Sequence, residues 1–253
     1  MSCLWCIDHD GTASHGDIGR DYLCRLMDFD SEGFVEEVMK MRNDPEYRAE
    51  ILRGEKYEVG MELAFLLVYH RVKQDDVREI ARNAEDYLRE GFLEFLNDPD
   101  TGRSIIFTAG VGDFSKLLYD KPKFRNKKNF DTVGTDLYVD EEGRYSGIKS
   151  PCGKESKPDR IKEVMRGMNG NNIIKIGIGD SQGDRRMFEY VLENGGLTIG
   201  IGDGIEGDIN FPKDTAWYPV WEAGKLYVDF MEKSKKEALY RIKEHIEVGV
   251  HAD

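Results

Sequence analysis

Leu4-Trp5-Cys6-Ile7 is a short apolar run, too brief for a helix, that stops at two carboxylates, Asp8 and Asp10, followed by Gly11 and Thr12. The pattern predicts a buried strand of a parallel sheet, with the acids on the loop at its carboxyl end. From residue 17 to 97 the apolar spacing turns helical. Asp17 is placed to cap a helix through Tyr22, Leu23, Leu26 and Met27, and Ser31 to cap a second carrying Phe34, Val35, Val38 and Met39. Met61 to Tyr69 is apolar nearly all round and predicts a central helix. Asp75 is placed to cap another through Val77, Ile80, Ala81, Ala84 and Leu88. No convincing strand falls in this stretch, which reads as a helical unit inserted after the first strand.

Pro99 and its polar neighbours break the pattern, and Arg103 to Phe107 predicts a second buried strand ending at Thr108-Ala109-Gly110. Strands and helices then alternate, the signature of a doubly wound sheet. Helices are expected over 113–119, 157–168 and 182–192, and strands over 173–178 and 197–201. Residues 136–140 and 144–148 flank Glu141-Glu142-Gly143 as a β-hairpin. The amphipathic pattern from Trp221 to about Val248 predicts one long terminal helix. The expected fold class is α/β: a doubly wound parallel sheet over 1–16 and 98–253, with an all-helical insertion over 17–97, which the resemblance drawn below makes a Rossmann-like core and a cap.

Composition narrows the function. A net charge of −13 over 253 residues argues against a nucleic-acid binder, whose phosphate contacts need clustered positive charge. No signal peptide or membrane span is visible. Four cysteines make no disulfide framework, and Cys3-x-x-Cys6 lacks the second pair of a zinc site. Reduced strand thiols in a cytoplasmic protein are expected. The run of Lys116, Lys121, Lys123, Arg125, Lys127 and Lys128 reads as a solvated loop.

Two acids at a strand end repel one another unless a cation or a function compensates, and in open α/β sheets that edge is where ligands bind. Three other segments reach the same edge. Thr108 brings a hydroxyl and the small residues Ala109 and Gly110. Ile173 to Gly179 leads to Asp180, with Asp184 four residues later. Lys157 opens the helix that returns to that strand. Taken singly, each is an ordinary turn, cap or surface residue; their order and position carry the signal.

That order resembles the haloacid dehalogenase superfamily, whose phosphatases carry four motifs on a Rossmann-like core. Asp8-His9-Asp10-Gly11-Thr12 is similar to the first motif, Thr108 to the second, Lys157 to the third and Gly179-Asp180-Ser181-Gln182-Gly183-Asp184 to the fourth. Lys154 competes for the third, but the 23-residue step from Lys157 to Asp180 fits better. The helical insertion resembles the cap of the phosphoserine-phosphatase-like branch.

The resemblance implies that Asp8 attacks phosphorus to form an aspartyl-phosphate and that Asp10 serves as acid and base, with a raised pKa. It implies Mg²⁺ on Asp8, the Asp10 carbonyl and Asp180, with Asp184 in support. Thr108, Ala109, Gly110 and Lys157 would hold the phosphate of a small metabolite. Lys157 would also favour the ionised form of Asp8. Dehalogenase members lack an acid at the Asp10 position, which favours phosphate chemistry.

Asp17 lies where that branch binds a substrate amine, which makes phosphoserine a candidate substrate. The expected carboxylate-gripping arginine is missing, because Leu63 falls near its position and Arg53 or Arg71 would need a rearranged cap. A phosphomutase or other phosphotransferase of the superfamily is the nearest alternative. A phospho-acceptor regulatory domain predicts a chain about half as long.

Overall fold

The computed structural model describes residues 2–84, 87–168, 173–231 and 234–250. Seven strands form one sheet: β1 (Ser2–Asp8), β2 (Arg103–Val111), β3 (Phe130–Val139), β4 (Tyr145–Ser150), β5 (Ile173–Gly179), β6 (Leu197–Ile201) and β7 (Ile209–Phe211). Their order is β4-β3-β2-β1-β5-β6-β7, parallel throughout except for the antiparallel β3–β4 pair. β1 is central, with β2 and β5 on either side. Its loop therefore opens where the chain switches direction across the sheet, the usual ligand position in such folds.

The helices are α1 (Ile18–Leu23), α2 (Ser31–Asn43), α3 (Pro45–Leu52), α4 (Glu62–Tyr69), α5 (Gln74–Asn83), α6 (Phe92–Asn97), α7 (Gly112–Tyr119), α8 (Lys157–Arg166), α9 (Arg185–Glu193), α10 (Trp217–Phe230) and α11 (Lys235–Val250). The first six lie between β1 and β2.

β1 is covered on both faces, which is why its sequence is uniformly apolar rather than alternating. Leu4 and Cys6 join one buried cluster, Cys3, Trp5 and Ile7 the other. The Trp5 indole donates to the Thr101 carbonyl at 2.7 Å and meets Phe95 edge-on at 5.0 Å. A side chain at Gly224 would sit 2.2 Å from that indole, so only glycine lets α10 pack on the sheet here. Phe92 and Phe95 of α6 pack on Trp217 of α10, tying the end of the insertion to the core.

α4 lies where the continuous apolar run placed it, with Leu63 to Val68 all buried. Asp17 caps α1 by accepting from the Arg20 amide at 2.7 Å. The cap of α2 is Asp30, which accepts from the Gly33 amide, not Ser31, whose side chain lies outside the described residues. Val35 and Met39 are exposed and Val38 and Met41 buried, so the inward face is Phe34-Val38-Met41. Asp75 sits in the first turn of α5 rather than capping it. That helix stops at Asn83, with Ala84 already extended.

Two further expectations are corrected, and one strand was not foreseen. β3 begins at Phe130, six residues before the expected hairpin arm. Its half-polar first section pairs in parallel with β2, and only its end forms the hairpin with β4. β7 has three residues, too few to show a period. The long terminal helix is two helices, α10 and α11; Ser234 Oγ accepts from the Glu237 amide at the start of the second, and residues 232 and 233 lie outside the described residues.

Among the described residues no helix is long and apolar enough to cross a membrane. The four cysteines are free and buried.

Candidate active site

After Asp8 the chain winds through a tight turn, His9–Ala13, in which Gly11 takes φ +78°. A Cβ at Gly11 would lie 2.1 Å from Asp180 Oδ2, so glycine is required for the two acidic loops to approach. The turn is held by Arg89, 2% exposed, which lies late in the insertion, just before α6. Its guanidinium donates to the carbonyls of Gly11 at 2.7 Å, Thr12 at 2.5 Å, Lys213 at 2.6 Å and Thr215 at 3.0 Å. Ser14 Oγ donates to the His9 carbonyl at 3.1 Å and closes the turn from the far side.

Lys157 stands at the first position of α8, 3% exposed, with Nζ 2.6 Å from Asp8 Oδ1 and 2.6 Å from Asp184 Oδ1. Asp184 Oδ2 accepts the amides of Asp180 at 3.2 Å and Ser181 at 3.3 Å, so the acid also fixes its own loop. Thr12 Oγ1 donates to Asp180 Oδ1 at 3.4 Å. Asp10 faces elsewhere: Thr108 Oγ1 donates to its Oδ2 at 3.0 Å, and its Oδ1 lies 3.2 Å from His9 Nδ1. The Gly110 amide donates to Thr108 Oγ1 at 3.1 Å.

The geometry separates the two acids electrostatically. Burial and the Asp184 charge hold the Asp8 carboxyl well above its ordinary range, against the opposing pull of Lys157. Asp10 departs from expectation in the opposite direction. Burial works to raise it, but His9 and the hydrogen bonds from His9 and Thr108 outweigh burial and leave it lowered. The expected crowding falls on Asp8 instead, because Asp8 is the acid that faces Asp184 and Asp180. Burial draws Lys157 down, but Asp184 and Asp8 together raise it, so it stays an ammonium. Burial, then Asp184, pushes Asp180 up to about 6.

Asp8, Asp180 and Asp184 each offer a carboxylate oxygen within 4.8 Å of the others. A hard, oxygen-only set of this kind fits Mg²⁺ better than zinc. The raised Asp8 and Asp180 carboxyls fit a cation too, since one placed among them would relieve the repulsion that raises them. Asp10 stands outside this group of side chains.

A cavity of about 520 Å³ opens above the site, between the sheet edge and the insertion. Asp8, Asp10, Thr108, Ala109, Gly110 and Lys157 line its floor, and Asp17 and Lys154 its sides. Phe34, Val38, Val59 and Leu63 from the insertion also line it, with Arg20 and Arg42. Arg42 pairs with Glu62 at 2.8 Å. Arg53 and Arg71 do not line the cavity: Arg53 lies over the Tyr138 ring and Arg71 pairs with Asp140 at 2.7 Å. In the basic run, Lys116, on α7, pairs with Asp136 and Lys127 with Asp120.

Sequence reasoning did not single out Arg89, Arg42, Glu62 or Glu58. The first is an isolated arginine in a polar stretch, and the others acquire partners only through the packing of the insertion.

Sheet, insertion and acid–lysine–threonine set together define a phosphatase of the haloacid dehalogenase superfamily, a phosphoric monoester hydrolase. Residues 56–205, more than half of the chain, match the pyrimidine 5′-nucleotidase (UMPH-1) family, and the protein belongs to that family. No curated protein matches the sequence.

Among solved structures, a gene product of Archaeoglobus fulgidus superposes with a TM-score of 0.66 at 16% identity, covering 92% of this chain and 85% of that one. Cytosolic 5′-nucleotidase IIIB bound to cytidine gives 0.56 at 17% identity, covering 99% and 88%. Phosphoserine phosphatase in its apo form gives 0.56 at 14%, covering 85% and 95%. At these identities the likeness is one of fold.

Proposed function

We propose that the protein is a Mg²⁺-dependent phosphatase that hydrolyses a nucleoside monophosphate or a similarly sized phosphorylated metabolite through an aspartyl-phosphate on Asp8. The observation that carries this reading is the contrast within one cavity. Its lining holds the Asp8–Lys157–Thr108 set together with the apolar side chains Phe34, Val38, Val59 and Leu63. A flat base or another apolar group would bury against such side chains. Phosphoserine asks instead for an unpaired cation to take its carboxylate. Arg42 is already engaged by Glu62, although Arg20 and Lys154 also line the cavity and Asp17 lies there for an amine. The UMPH-1 family match and the cytidine-bound neighbour support the nucleotide side.

In this mechanism Lys157 holds Oδ1 of Asp8, and Oδ2, which accepts no hydrogen bond among the described residues, attacks phosphorus. Thr108 Oγ1 turns from Asp10 to a phosphate oxygen, with the Gly110 amide behind it. Loss of the Thr108 hydrogen bond and the arrival of phosphate charge both raise the Asp10 pKa, preparing it to protonate the leaving oxygen. Asp10 then takes a proton from the water that hydrolyses the aspartyl-phosphate. Mg²⁺ held by Asp8, Asp180 and the Asp10 carbonyl, with Asp184 in support, supplies charge neutralisation at the phosphate. We place residues 17–97 as a cap over this chemistry and the protein in the cytoplasm, in keeping with its free cysteines.

The test is a phosphate-release panel with Mg²⁺, comparing pyrimidine and purine nucleoside 5′-monophosphates, phosphoserine and sugar phosphates. A kcat/KM at least tenfold higher for a nucleotide than for phosphoserine supports the reading. The reverse order assigns the cavity to an amino-acid phosphate, and no release from any ester refutes the phosphatase.

A further inference from the structure

One contact between the insertion and the phosphate-handling loops is a short turn, Glu58–Gly60. Glu58 is 7% exposed and pairs with no cation among the described residues. Its Oε2 accepts three hydrogen bonds at 3.0 Å, from the Glu155 amide, the Ser156 amide and Ser156 Oγ. These groups immediately precede Lys157, the first residue of α8. The side chain of Ser156, at the capping position of α8, makes no capping hydrogen bond of its own. The helix is thus capped from about a hundred residues away by a carboxylate suited to its positive end.

Two glycines record how close the approach is. A Cβ at Gly153 would lie 2.4 Å from Glu58 Cβ, and a Cβ at Gly60, where φ is +101°, would lie 2.6 Å from Ala109 Cβ. The same turn therefore rests on the loop before Lys157 and on the residue after Thr108.

A buried carboxylate is costly unless fully hydrogen-bonded, and an apolar residue would seal the same contact without that cost. What the carboxylate adds is direction: it fixes the backbone from which Lys157 reaches Asp8 and Asp184. We propose that Glu58 is a positioning residue that sets Lys157 through the first turn of α8, so that seating of the insertion and assembly of the phosphate site are one event. The proposal rests on the phosphatase reading for its kinetic arm only.

The experiment is a double-mutant cycle between Glu58 and Lys157, read as kcat and KM for p-nitrophenyl phosphate with Mg²⁺. Glu58→Ala is expected to lower kcat/KM by about 30-fold, mainly in kcat, as a displaced catalytic group does. In a Lys157→Ala background the same change costs less than about threefold, because Glu58 then has nothing to position. Glu58→Gln, which keeps an acceptor oxygen, returns activity to about three- to fivefold below the parent.

A Glu58→Ala enzyme within twofold of the parent overturns the proposal. So does an equal loss in both backgrounds, or a Gln variant no better than Ala. If Glu58→Ala does not fold, Glu58→Gln is read in both backgrounds, and no loss in the parent overturns it.

Amide exchange of residues 153–160 in metal-free protein gives a second readout, independent of turnover. It should quicken about tenfold in Glu58→Ala, or by a smaller factor of about two to three in Glu58→Gln if Ala does not fold, and unchanged exchange counts against the link. A parent that hydrolyses no ester removes the phosphatase reading while leaving this arm intact.

Discussion

Arg89 donates from Nη2 to the Gly11 carbonyl at 2.7 Å, across 78 residues of sequence. The turn that carries Asp8 and Asp10 is thus gripped by a cation whose hydrogen bonds to Gly11, Thr12, Lys213 and Thr215 all go to backbone carbonyls. Burial lowers the Arg89 pKa, and the nearby Asp180 and Asp214 charges oppose that shift.

Arg89→Ala leaves those carbonyls buried and unmatched, a loss of about 3 kcal/mol. Arg89→Lys keeps the charge but cannot reproduce the fork and should recover less than half of it. Urea denaturation of the metal-free proteins checks both. A midpoint for Arg89→Ala equal to that of the parent would show that the clamp carries no stability.

How much of this was readable from the chain follows from the range of each interaction. β5, β6, residues 3–8 of β1 and residues 63–68 of α4 are buried, and their largely apolar runs announce them without help from neighbours. Asp8, Asp10, Thr108, Lys157, Asp180 and Asp184 sit at the ends of such strands or at the start of the next helix, so order along the chain places them on one edge. Long-range partnership is what the sequence conceals. Nothing local distinguishes Glu58 from Glu55 or Glu62, or Arg89 from Arg82, until the insertion folds over the sheet. The direction of the Asp10 shift was hidden for the same reason, since it depends on which way the carboxylate points within a turn.

Among the described residues, Lys157 is the one cation paired with the buried acids Asp8 and Asp184. Lys157→Met should lower kcat/KM by about 10³-fold, since it removes both the phosphate contact and the charge holding Asp8. The variant should also be less stable than the parent at pH 7.5, by about 3 kcal/mol, because two buried carboxylates lose their partner. Lys154→Met, a side chain on the cavity wall, should cost less than about tenfold. Equal losses in the two variants would reopen the choice of active-site lysine.

Asp10→Asn tests the division of labour. Protonation of the leaving oxygen matters most for a poor leaving group, so turnover of an alkyl phosphate should fall about 10³-fold. With 2,4-dinitrophenyl phosphate the first step should survive, giving a burst of phenolate and slow release of phosphate. Asp8→Asn should give neither burst nor turnover. A burst from Asp8→Asn would remove it as the nucleophile.

Stability should depend on pH and Mg²⁺ together. The Asp180 carboxyl is pushed up to about 6 from an ordinary value of 3.8, and Asp8 is raised as well. Across that window the folded protein keeps protons that the unfolded chain releases, so these acids make metal-free stability fall as pH rises from 3.8 through about 6. Mg²⁺ requires the ionised carboxylates and binds only the folded site, so its stabilisation should be small at pH 5 and full at pH 7.5. Asp180→Asn removes one repelling charge. It should raise the metal-free Tm at pH 7.5, abolish the Mg²⁺-dependent shift and lose activity, the expected trade between stability and function at such a site. Calorimetry of parent and variant at both pH values, with and without Mg²⁺, decides it. A Tm in Asp180→Asn that still rises with Mg²⁺ would move the metal away from this acid cluster.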